Sequence, residues 1–370
     1  MVTVPFLDLK AVYEELRDDI DRATSRAIQS GWYILGPEVD AFERDFAAYC
    51  GTRHAVGLGN GLEALHLVLR AWDIGAGDEV IVPSNTYIAT WLAITMVGAT
   101  PIPVEARADT CNIDPERITA AITPRTKAII AVHLYGQTAE MTPIMSIAEA
   151  HGLKVLEDAA QAHGARWNGR RAGGLAHAAA WSFYPGKNLG ALGDAGGLTT
   201  DDDALADRVR VLRNYGSRKK YYNEIPGVNS RLDPIHAAVL AAKLPHLDAW
   251  NARRVALAAR YQAALEDCAV TRPVVAAGAD PSWHLYVVQS NARDALQSHL
   301  RAAGVETLIH YPIPPHRSEA YRSDRWPAGS LPIAERLAET VLSLPIGPHL
   351  SVAQQDAVID AVRTFRPPAG

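Results

Sequence analysis

The stretch "GLKVLEDAA", residues 152–160, is a short apolar run closed by two acids. Its glycine start, its length and its Val and Leu content read as a buried strand ending at Glu157 and Asp158. Similar runs lie on either side: "DEVIVPSNTY" (78–87), "KAIIAVHLYG" (127–136) and "AAAWSFYPG" (178–186). Amphipathic stretches such as "GLEALHLVLRAW" (61–72) and "MTPIMSIAEAHG" (141–152) separate them. Strands alternating with helices predict an α/β fold, a mostly parallel sheet covered by helices. Open sheets of this kind gather ligands beyond the carboxyl ends of their strands. The polar residues expected at those ends are Asn85 and Tyr87, His133 and Tyr135, Glu157 and Asp158, and Ser182 to Lys187.

Further along, "DPIHAAVLAAKLPHLDAWNARRVALAARYQAALEDC" (233–268) is Ala-rich and helical in period, with Pro245 as its break. It bridges to a smaller C-terminal part of α+β pattern. There "HLYVVQS" and "ETLIHY" read as strands, and "ARDALQSHLRAAG" and "SVAQQDAVIDAVRTF" as helices. The expected division is a large domain over residues 1–245 and a small one over 246–370.

Composition narrows the function. The 370 residues carry 36 Lys and Arg against 41 Asp and Glu, a formal charge of -5, with no long basic run. Nucleic acid is therefore not the expected partner. No apolar run approaches the roughly 20 residues of a membrane helix. The N-terminal residues lack the charged and apolar regions of a signal peptide. The three cysteines, Cys50, Cys111 and Cys268, form no C-x-x-C pair, so neither zinc nor a disulfide framework is expected. A cytoplasmic protein without a metal is the reading.

The chemistry concentrates in "VLEDAAQAHGA" (155–165) and "WSFYPGKNLGALGDAGG" (181–197). Taken alone, the acids cap a helix or face solvent and Lys187 is a surface lysine, as most charged residues are. Together they are what pyridoxal phosphate needs. The lysine forms a Schiff base with the cofactor, and an aspartate keeps its pyridine nitrogen protonated. A lysine in a partly desolvated pocket also loses basicity, which suits a nucleophilic amine. A phosphate site should accompany the ring. "GLGNGLEALHLVL" (57–69) runs a glycine-rich turn into a helix, where free N–H groups near Gly61 and Leu62 suit an anion. Alone, that turn is equally a tight connection before a packing helix. Tyr87, just past a strand end, either stacks on the ring or packs in the core.

These segments, with "SGWYILGPEVDAFERDFAAYCGTRHAVGLGNGLEAL", "VHLYGQ", "GVNSRLDPIHAAVL" and "LIHYPIPPH", resemble the nucleotide-sugar aminotransferases of the DegT/DnrJ/EryC1/StrS family. The motifs follow in order over nearly the whole chain. The resemblance implies the aspartate-aminotransferase fold (fold type I), with pyridoxal 5'-phosphate as cofactor and pyridoxamine 5'-phosphate as its intermediate form. It implies that Lys187 carries the cofactor, Asp158 pairs with the pyridine nitrogen, Gln161 contacts the ring hydroxyl and Tyr87 stacks on the ring. Ser182 and the backbone of Gly61 and Leu62 hold the phosphate. Asn229 reaches the phosphate of the neighbouring subunit, which implies a homodimer with shared active sites. Many members carry threonine where this chain has Leu62; that hydroxyl is lost, and the backbone N–H must serve.

"GWYILG", "NLGALGDAG" and "TLIHYPIPPH" most resemble the 3-aminotransferases of dTDP-linked 3-keto-6-deoxyhexoses. In that subgroup Tyr184, His310 and Tyr311 surround the sugar, and the loop "NYGSRKKYYN" (214–223) lies near the partner's nucleotide. Arg218, Lys219 and Lys220 then supply positive charge for a diphosphate; otherwise the loop is a solvated basic turn. The expected activity is transfer of an amino group, with glutamate as the donor, to a nucleotide-linked keto-sugar. Four alternatives stand beside it. C4-aminating relatives share the cofactor motifs. Relatives that remove a sugar hydroxyl carry histidine at the lysine position. A regulator should add a DNA-binding segment. A nicotinamide oxidoreductase would need G-x-G-x-x-G.

Overall fold

Strands buried on both faces read as near-continuous apolar runs, and this chain uses them to build one sheet. The computed structural model describes residues 3–323 and 325–368. Seven strands lie in the order His54–Leu58, Gly196–Thr200, Ala178–Ser182, Lys154–Asp158, Thr126–Val132, Glu79–Pro83, Thr100–Val104. Gly196–Thr200 runs antiparallel to both neighbours; the remaining pairs are parallel. The fold is the expected α/β class with a mostly parallel, mixed sheet.

Side-chain alternation sorts each strand between two cores. Ile129, Ala131, Val155, Ala179 and Trp181 face a core closed by the Pro37–Cys50, Met141–His151 and Pro234–Lys243 helices. Ala128, Ile130, Val132, Leu156, Ala178 and Ala180 face the opposite core, under the Gly61–Ala71, Ile88–Met96 and Asp203–Leu212 helices.

The C-terminal part has its own core, which surrounds the antiparallel strands Tyr286–Gln289 and Val341–Leu344. Leu296 and Leu300 of the Arg293–Ala302 helix pack there with Val358 and Val362 of the Val352–Thr364 helix. Val4 joins this core from the N-terminus and pairs in parallel with Val305. The expected break at Pro245 is a 3-10 turn, Leu244–His246, before the long Leu247–Ala264 helix. One expectation fails: "ETLIHY" is not a strand. Only Leu308 bridges to Ser343, and the chain then turns so that His310 and Tyr311 face the carboxyl ends of the large sheet's central strands. The strand that pairs with Tyr286–Gln289 is instead Val341–Leu344, whose short "VLSL" run follows directly on the Pro332–Thr340 helix.

Candidate active site

A cleft of about 540 Å³ opens at the carboxyl ends of the central strands. Its walls gather Gly61, Leu62, Tyr87, Asp158, Gln161, Ser182, Tyr184, Lys187, His310 and Tyr311. A larger hollow, about 690 Å³, lies at the amino end of the Lys154–Asp158 strand against Lys154 and Trp167. Open sheets place ligands at the other end, and the paired amine and carboxylate are there too.

Asp158 ends its strand with a buried carboxylate. Oδ2 accepts from Thr90 Oγ1 at 2.8 Å, and Oδ1 accepts from Ala160 N at 3.3 Å. Burial still pushes its pKa up, against the pull of those bonds and of Lys187 and His133. The site thus holds a carboxylate short of positive partners. Lys187 sits on the loop after Ala178–Ser182, and burial lowers its pKa to about 8. Only the Asp158 charge opposes that shift.

At the opposite wall, Asn60 caps the Gly61–Ala71 helix, its Oδ1 accepting from Glu63 N at 2.9 Å. The amides of Gly61 and Leu62 precede the first intrahelical bond and point out of the helix, where the macrodipole favours an anion. A Cβ on Gly61 would lie 2.8 Å from Ser182 Cβ, so the absent side chain seats the helix start against Ser182. Gly190 of the lysine loop serves the same purpose. A Cβ on Gly190 would come within 2.4 Å of Pro185 O, so what approaches closely there is the chain's own backbone, not a bulky ligand.

Gln161 joins two walls: Oε1 accepts from Tyr135 N at 2.7 Å, and Nε2 donates to Tyr311 Oη at 2.9 Å. Tyr87 lies 5.2 Å from the Tyr311 ring at a 35° tilt and is exposed. His310 Nδ1 meets Ser343 Oγ at 2.8 Å, and burial lowers its pKa to about 4.

Four expected residues do not line this cleft. Asn229 is exposed and bridges to Asn214. Arg218 is held by Asp207 and Glu224, and Lys219 and Lys220 lie over Tyr222 and Tyr221 on an exposed hairpin. Among the polar strand ends, His133 and Glu157 pair with each other, and Asn85 bonds the backbone of Cys111. Sequence reasoning missed Thr90, one helical turn after Thr86, and Asn60. The N-x-x-E spacing of Asn60 and Glu63 was a readable capping signal; no local pattern marks a threonine that reaches another strand.

The donor set fits a phosphorylated, ring-nitrogen cofactor: an amine of lowered basicity, a buried carboxylate and an anion-binding helix start. Among the described residues no cluster of His, Cys, Asp or Glu could hold a metal. No helix among them is long and apolar enough to cross a membrane.

The chain is similar to known proteins over its whole length. It is 57% identical over 363 residues to the dTDP-3-amino-3,4,6-trideoxy-alpha-D-glucose transaminase of Streptomyces venezuelae, covering 98% of this chain and 96% of that one. It is 56% identical to the erythromycin biosynthesis sensory transduction protein EryC1 of Saccharopolyspora erythraea, covering 97% and 99%. The crystal structure of S. venezuelae DesV in complex with a ketimine intermediate superposes with a TM-score of 0.97 at 56% identity, covering 98% of each chain. The model of the DegT/DnrJ/EryC1/StrS aminotransferase family matches residues 14–363, and the chain belongs to that family.

Proposed function

We propose that this cleft binds pyridoxal 5'-phosphate and aminates C3 of a dTDP-linked 3-keto-6-deoxyhexose, with glutamate as the amino donor. The products are a dTDP-3-amino-3,6-dideoxyhexose and a keto acid. The observation that carries the reading is the pairing of Lys187, its basicity depressed, with buried Asp158 in one cleft. The preference for C3 rests on the 57% identical transaminase, whose name specifies a 3-amino sugar.

Bound there, the cofactor supplies an electron sink for the carbon that exchanges its amino group. Lys187 Nζ would hold the cofactor and, as a free amine, would accept and return the proton of the exchange. Asp158 keeps the proton on the ring nitrogen. The Gly61 and Leu62 amides and Ser182 Oγ would receive the phosphate, Gln161 would contact the ring hydroxyl, and Tyr87 would stack on the ring. Tyr184, His310 and Tyr311 border the space left for the sugar.

We take the working form to be a cytoplasmic homodimer with shared sites, in which Asn229, Arg218, Lys219 and Lys220 serve the partner's cleft. Their exposure outside their own cleft supports this. We take residues 1–245, apart from the Val4 segment, as the cofactor domain and 246–370 as the small domain.

The test is an assay with the cofactor, glutamate and a panel of 3-keto and 4-keto dTDP-sugars, the amino group located by NMR. Amination at C3 is expected; turnover of only the 4-keto compounds would overturn the position. The sensory name of the Saccharopolyspora relative favours a second reading, a cofactor-binding regulator. Cofactor uptake without turnover of any sugar would support it.

A further inference from the structure

Lys187 is held in place through its neighbour. Asn188 Nδ2 donates to Asn251 Oδ1 at 2.9 Å and to Ser282 O at 3.0 Å. Asn251 Nδ2 donates in turn to His163 O at 2.8 Å. A backbone carbonyl can only accept, so the carbonyls of His163 and Ser282 fix which way both amides point. Asn188 Oδ1 is then left as an acceptor, and His284 Nδ1 stands 3.1 Å from it. The proton between them belongs to the imidazole. Burial, with the nearby charges of Lys187 and Arg254, holds that ring's pKa well below the usual histidine range, which favours one proton, on Nδ1. Asn188, Asn251 and Ser282 are all buried, and the amide of Asn188 spends both N–H groups and one oxygen in this network.

We propose that His284, as its Nδ1–H tautomer, and Asn188 are positioning residues that lock the lysine loop onto the sheet and the small domain. This rests on the reading of Lys187 as the cofactor-bearing amine. The network ties that loop to three places: the segment after Asp158, the Leu247–Ala264 helix, and the approach to the Tyr286–Gln289 strand. Lys243 Nζ adds a tether at Gly190 O, 2.7 Å away. Because the Lys187 amine itself has to swing between cofactor and substrate, its aim depends on the backbone beneath it.

Two measurements test this. In holoenzyme carrying ¹⁵N-labelled histidine, NMR should show His284 neutral and protonated at Nδ1 between about pH 6 and 8. In Asn188→Ala that ring should move toward the Nε2–H form. An Nε2–H ring in the parent overturns the proposal, whatever the cofactor does.

The second compares His284→Leu with His284→Asn, whose amide N–H can reach from the place of Nδ1. His284→Leu should lower kcat about tenfold or more. Its sugar KM and cofactor stoichiometry should change less than about twofold, and His284→Asn should recover most of the loss. Equal impairment of both variants, or full activity in His284→Leu, contradicts the relay. Failure of the parent itself to take up cofactor would instead remove the reading of Lys187, and the tautomer still decides the hydrogen-bond network.

Discussion

Glu157 and Asp158 are consecutive residues whose carboxylates serve opposite faces of the sheet. Glu157 is fully buried and accepts from the amides of Gly173, Leu175 and Ala176 at 2.9, 2.8 and 3.0 Å. His133 takes the Ala139 amide at Nδ1, so its Nε2–H donates to Glu157 at 3.0 Å. Asp158, one residue on, turns toward the cleft with Thr90. One acid holds a loop in place and its neighbour faces the cleft.

That division predicts two different failures. Glu157→Ala leaves three buried amides and an imidazole without an acceptor and should cost on the order of 3–5 kcal/mol in urea denaturation. Asp158→Asn relieves a burial penalty, so stability should stay within about 1 kcal/mol of the parent. Its amination rate should fall roughly a hundredfold or more. The reverse pattern would show that the roles are exchanged.

Lys187 reactivity should follow its lowered pKa. Only the free amine attacks an aldehyde, so labelling of the cofactor-free protein by pyridoxal phosphate and borohydride should reach half its maximal rate near pH 8. A midpoint at the ordinary lysine value, above pH 10, would show that the amine is solvated.

His163 provides an acid test of the fold. Its ring is fully buried between Trp181 and Phe183, and burial lowers its pKa to about 3. An unfolded histidine protonates near pH 6.5 while the native one does not, so the unfolded state binds the extra proton. Stability should therefore fall as pH drops from about 6.5 toward 3, with a contribution of about 1.4 kcal/mol per pH unit from this group. His163→Phe should flatten that slope in thermal melts at pH 4 to 7. An unchanged slope would place the acid sensitivity elsewhere.

The proposed sharing of sites between subunits predicts complementation. Lys187→Ala and Asn229→Ala should each lack activity alone. Mixed and re-associated in equal amounts, they should regain about a quarter of parental activity, because half the dimers carry one intact site. No recovery on mixing would place Asn229 outside the partner's cleft.

Much of this was legible because strand ends carry the chemistry. Apolar runs ending at Asp158 and Ser182 marked both the sheet and the cleft, and period-two alternation explains why Glu157 was grouped with Asp158 but faces away. The strand expected at 306–311 was not readable correctly. "TLI" has strand composition, but its partner Ser343 pairs with it at one point only, a tertiary outcome no local pattern shows. The same holds for Thr90, and for Asn188 and His284, which are distant in sequence and meet only in the folded chain.

The most direct test of the account is where the cofactor attaches. Pyridoxal phosphate is added to the purified protein, borohydride reduces the product, and peptide mapping locates the adduct. The account predicts one label per chain, on Lys187, and none in Lys187→Ala. Label on Lys243, a buried lysine whose pKa is also lowered to about 8, would contradict it, as would no label at all.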